Sequence, residues 1–140
     1  MRPSGAIFDN ALQVVGYRVD PPRAAPGATV TVTVLLRAVA PIASDEMMFV
    51  HVDDSDGRPE RANGDHWPSG HKAPTNTWKV GEVMRDQFQV TLQGFAESGS
   101  ATVWMGFYDP KLDARMVLSN AAQMKNDGQN RYALAEIPLR

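Results

Sequence analysis

The chain has 140 residues, 43% hydrophobic and 21% charged, the composition of one folded domain large enough to bury a core without staples. A formal charge of -2 supplies no basic field for neutralising phosphates, which excludes nucleic acid as a partner. There is no cysteine, so disulfide frameworks and thiolate zinc sites are excluded, and no apolar run approaches the roughly 20 residues of a membrane span. The opening MRPSGAIFDN lacks the apolar h-region of a signal peptide. Residues 1–140 are read as a single domain, either a cytosolic protein or a module excised from a longer chain, with no membrane insertion of its own.

Period-two alternation dominates. ALQVVGYRVD (11–20) sets Val15, Tyr17 and Val19 against Val14, Gly16 and Arg18, then stops at Pro21-Pro22. PPRAAPG (21–27) is a turn-rich link. In ATVTVTVLL (28–36), Val30, Val32, Val34 and Leu36 share one face, with Thr29, Thr31 and Thr33 on the other; this is a half-buried antiparallel strand. EMMFVHVDD (46–54) is apolar on both faces and reads as a central strand, followed by a DSDG turn.

NGDHWPSGHKAPTNTW (63–78) is too broken by Gly and Pro for either regular structure. MRDQFQVTL (84–92) alternates again, Met84, Phe88, Val90 and Leu92 against Arg85, Gln87, Gln89 and Thr91. SATVWMGFYD (100–109) is a second two-faced strand, ended by Asp109-Pro110. RMVL (115–118) is short, LSNAAQMKN (118–126) is a marginal helix or a loop, and RYALAEIPL (131–139) closes the chain. Seven to eight strands with Pro/Gly turns predict an all-β fold, an antiparallel β-sandwich of immunoglobulin-like or jelly-roll type.

Asp86 shares the parity of Met84, Phe88 and Val90, the presumed inward row. A carboxylate there needs hydrogen bonds or a cation. The 63–78 loop feeds directly into its strand, so backbone N–H groups or a histidine of the loop are the expected partners. Asp86 thus either pins the loop or converges with Asp65 and His66 on a ligand. Trp67 lies in the irregular part of the loop, where an indole face can stack on a sugar while Asp65, His66 and His71 bond its hydroxyls; Trp78 more naturally plugs the sandwich.

A zinc site from Asp65, His66, His71 and Asp86 lacks a recognised ligand spacing. A copper site from Met47, Met48, Met105 and His51 competes with core packing, and DDSDG (53–57) needs no calcium to explain it. For catalysis there is no G-x-S-x-G and no H-E-x-x-H, and Ser69 beside His66 and His71 is a thin basis for a nucleophile with a base. No catalytic residue, metal or cofactor is assigned.

The order of motifs carries a resemblance. Phe49-Val50-His51, Asp56-Gly57, Gly64-Asp65-His66, Gly70, Pro74-Thr75, Trp78, Gly81-Glu82, Asp86 and Gly106 to Pro110 together resemble a known β-sandwich domain. That domain is appended to the C-terminal side of bacterial membrane proteins of glycosyltransferase (mannosyltransferase-like) type, and occurs in other envelope proteins. The resemblance spans residues 12–110. It implies a sandwich, no catalytic activity, an extracytoplasmic location and an accessory role.

The leading expectation is a non-catalytic envelope module that binds glycan or another envelope component through Asp65, His66, Trp67, His71 and Asp86. The alternatives are a purely structural or protein-interaction domain in which Asp65, His66 and Asp86 latch the loop, and a metal-binding sandwich. Sheet edges leave self-association open.

Overall fold

The computed structural model describes all residues 1–140. Ten strands form: β1 (Arg2–Pro3), β2 (Ile7–Phe8), β3 (Leu12–Asp20), β4 (Thr29–Ala38), β5 (Met47–Asp53), β6 (Ala62–Asn63), β7 (Val83–Thr91), β8 (Ser100–Asp109), β9 (Ala114–Arg115) and β10 (Tyr132–Pro138). They make two antiparallel sheets. The first runs β1-β3-β4-β7 with β2 on β3, the second β10-β8-β5-β6 with β9 on β8. The all-β antiparallel sandwich is therefore the fold. The strand count exceeds the expectation because β1, β2, β6 and β9 are two-residue pairings, too short to show any alternation. The 118–126 segment holds only a 3₁₀ turn, Ala121–Gln123, and no helix is long and apolar enough to cross a membrane.

The inward rows follow the alternation. Val30, Val32, Val34 and Leu36 of β4 are fully buried and pair with Val90, Phe88, Asp86 and Met84 of β7. Across the interior, Met48, Val50 and Val52 of β5 are fully buried beside Phe107, Met105 and Val103 of β8. Each such side chain contributes about 1.5–3 kcal/mol on burial, and one continuous core joins both sheets. Met48 and Met105 belong to it.

Strand β3 departs from a single alternation. Its register against β4 shifts between Val14 and Gly16, a β-bulge that re-aims every later side chain. Leu12 and Val14 point inward before the bulge, while Tyr17 and Val19 sit opposite the inward Val34 and Val32 after it. The sequence row of Val15, Tyr17 and Val19 is correct only beyond the bulge.

Candidate functional site

The 63–78 loop packs against β7 through a short chain of hydrogen bonds. Asp86 is 2% exposed. Its Oδ2 lies 2.6 Å from His66 Nε2, and its Oδ1 accepts the Ser69 N–H at 2.9 Å. His66 Nδ1 lies 2.7 Å from the Gly64 carbonyl, and the ring packs on Phe88 with centroids 4.7 Å apart. With a carbonyl at one nitrogen and a carboxylate at the other, the surroundings favour the imidazolium, in which both nitrogens donate. Burial disfavours that charge. The hydrogen bond and charge of Asp86, with the Gly64 carbonyl and the charge of Asp65, outweigh it, and the His66 pKa is raised above 6.5.

Delivery of the Ser69 N–H needs an unusual backbone. Ser69, Gly70 and His71 all take positive φ, at 51°, 66° and 65°. The left-handed region costs a non-glycine residue of the order of 1 kcal/mol, so the bonds to Asp86 hold this turn against its own preference. Ser69 Oγ is buried without a hydrogen-bond partner.

The other loop residues disperse. Asp65 Oδ1 accepts the Val50 N–H at 2.8 Å, tying the loop to β5. Trp67 is half-buried and stacks on His71, centroids 4.2 Å apart, while His71 Nε2 meets Asp45 Oδ2 at 2.7 Å. Trp78 is buried, its Nε1–H donated to the Ala73 carbonyl at 2.7 Å. No three His, Asp or Glu side chains come together as metal ligands. In the DDSDG turn, Asp54 Oδ2 accepts the Ala96 N–H and Asp53 Oδ1 the Glu60 N–H, so protein donors occupy those carboxylates.

A second buried acid lies where the chain enters β5. Glu46 is 4% exposed and its Oε1 has no partner. Burial, then the charges of Asp109, Asp9 and Asp45, push its pKa from 4.5 to about 7. Its backbone N–H is held by Thr75 Oγ1 at 2.8 Å, and that hydroxyl donates to the Ser44 carbonyl at 2.7 Å. The loop therefore grips both acidic regions, His66 at Asp86 and His71 with Thr75 at Asp45–Glu46.

The outer face of the second sheet carries chemistry that the motif search passed over. Phe49 and His51 alternate outward on β5, and His51 lies directly opposite Trp104 of β8. Phe49 crosses Gly106 so closely that a Cβ there would stand 2.4 Å from the ring. Arg115 covers Phe49 at 4.3 Å from the ring centroid, and Arg131 covers Trp104 at 5.1 Å. Arg131 also donates to His51 Nδ1 at 3.1 Å. A small open cavity of about 180 Å³ lies here, lined by Phe49, His51, Asp65, Tyr108 and Arg115, and Trp104 Nε1 is a buried donor with no acceptor. Of the five sequence candidates only Asp65 reaches this cavity. The signal was present in β5 and β8, whose outward positions are aromatic where a solvated face carries polar residues.

No family model and no curated protein matches the chain. The structural likeness is not specific to glycosyltransferase-linked sandwiches, and the expected extracytoplasmic location does not stand, because a sandwich of this build is no mark of the cell exterior. That solved structure is the C-terminal domain of Wzt, similar to this chain with a TM-score of 0.65 at 10% identity, over 99% of this chain and 82% of that one.

Proposed function

We propose that this domain is a non-catalytic accessory module that recognises carbohydrate, and that the recognising surface is the outer face of the second sheet. The observation that carries the reading is an open cavity lined by Phe49, His51, Asp65, Tyr108 and Arg115, with Trp104 opposite His51 on the same sheet face. Aromatic faces stack on the apolar side of a sugar ring, and a few convergent polar groups fix its hydroxyls. Trp104 Nε1 is a donor in want of an acceptor.

In this reading Asp65 remains a ligand contact, Trp67 and His71 form a rim at most, and His66 with Asp86 is a latch rather than a binding pair. Ser69 Oγ has no hydrogen-bond partner, and both His66 nitrogens are engaged elsewhere, which argues against a nucleophile with a base.

Saturation-transfer NMR of the purified domain against bacterial surface polysaccharides tests the proposal. Trp104→Phe and Tyr108→Ala are expected to abolish transfer, with the thermal midpoint read alongside to confirm that the fold is kept. Binding that survives both changes and is lost with Trp67→Ala returns the site to the loop. An absence of transfer to every polysaccharide removes the carbohydrate reading and favours another envelope component or a purely structural role.

A further inference from the structure

A groove of about 1100 Å³ opens on the side of the sandwich away from the 63–78 loop, between the edges of β3 and β10. Strand β10 pairs with β8 on one side only. Its other edge meets the chain at its two ends, where Ala133 N–H bonds the Lys125 carbonyl and the Pro138 carbonyl accepts from Ala24. Leu139 N–H turns the opposite way, toward Gly99 of the β8 side. By strand parity the N–H and C=O of Glu136 therefore face the groove. On the opposite wall, β1 pairs with β3 only at Gly16 and Tyr17, which leaves Arg18–Asp20 without a neighbour. Short as they are, these free backbone groups at Glu136 and along Arg18–Asp20 are a template for another strand.

Two features say what that strand is. The groove wall is apolar where Val19, Leu134 and Ala135 line it. Its polar lining holds Arg2, Arg18 and Arg23, none of which makes an ion pair or side-chain hydrogen bond, whereas Lys125 is spent on Glu136. Asp20 is the only other carboxylate in the lining.

We infer that the groove receives an extended acidic peptide segment, with apolar and carboxylate side chains in alternation. The segment pairs with the free Glu136 edge of β10, its apolar side chains cover Val19, and its carboxylates meet the three arginines. The free N–H and C=O of Glu136 favour a peptide, whose own backbone pairs with both, over an anionic glycan.

The test uses the full 140-residue chain and two labelled octapeptides, one alternating Val and Glu, the other Val and Lys, followed by fluorescence anisotropy and amide NMR. The acidic peptide is expected to bind, to shift the amides of residues 133–137, and to weaken as salt rises. The lysine peptide is expected not to bind. Replacing Arg2, Arg18 and Arg23 together by Ala, all at the exposed groove lining, is expected to weaken binding about tenfold or more. Glu136→Pro removes the edge N–H at a position where an edge strand tolerates proline, and is expected to abolish binding with the thermal midpoint retained.

Equal affinity for both peptides overturns the proposal, as does acidic-peptide binding indifferent to the triple change. It is likewise overturned if polygalacturonate shifts these amides and the acidic peptide does not, or if sedimentation shows a dimer that occupies the edge and excludes the peptide. The arginine and Glu136 changes alter no residue of the Phe49–His51–Trp104–Tyr108 face, although Ala133 is the cross-strand partner of Trp104, so failure here leaves the carbohydrate proposal untouched.

Discussion

Two buried acids stand in the same sandwich with opposite solutions. Asp86 on β7 is fully engaged, one oxygen on an imidazolium and the other on a backbone N–H. Glu46 at the start of β5 has an oxygen with no partner and three carboxylates as neighbours. One loop serves both regions, yet only the first receives a positive charge directly. A buried carboxylate stays ionised when a cation and a donor are delivered to it, and turns toward the neutral acid when they are not.

The contrast sets the pH dependence. The folded-state pKa of His66 lies above its ordinary 6.5, so the latch contributes fully below that value and is lost as pH rises through the raised one. The Glu46 pKa rises from 4.5 to about 7, so the folded state holds its proton longer and stability falls as pH climbs across that window. Both act in the same direction, the first by losing an attraction and the second by charging an unsolvated group.

The largest expected effect breaks the engaged side of the comparison. Asp86→Ala leaves a buried imidazolium and a left-handed turn without an acceptor, and is expected to cost about 3–5 kcal/mol. Thermal melting at pH 6 would show a drop of roughly 10 °C or more; a drop of a degree or two would mean the latch is not holding the loop.

Glu46→Gln sharpens the other side. It removes the ionisation but keeps the shape, so at pH 8 it is expected to stabilise by about 2–3 kcal/mol, with little change at pH 4.5. Denaturant titrations at the two pH values check this, and a gain of equal size at both would detach the effect from the proton. Thr75→Val leaves the Glu46 N–H and the Ser44 carbonyl unsatisfied and is expected to cost about 1–3 kcal/mol by urea unfolding. The smallest effect is His71→Ala. It removes a solvent-exposed pair with Asp45, expected at about 0–1 kcal/mol and screened by salt. If that change rivals Asp86→Ala, the two grips of the loop are not as unequal as their burial implies.

The burial of Asp86 was legible because strand parity exposes a charged residue within an apolar row, and the long loop ahead of it is its nearest source of donors. Which donors arrive was not legible: Ser69 reaches Asp86 only because three consecutive residues adopt positive φ, and local sequence marks just Gly70 for that. Glu46 was hidden as the first residue of an apolar strand. Its neighbours Asp9 and Asp109 come from distant parts of the chain.

The sequence by itself determined the sandwich, its inward rows and the buried place of Asp86, since alternation and the cost of an unpaired charge are local and carry over to any packing of these strands. The tertiary structure alone decided the bulge in β3, the orphaned Glu46, the Phe49–Trp104–Arg131 face and the open edge of β10. Each depends on which strands become neighbours, a choice made by the summed burial of the whole core rather than by any one segment.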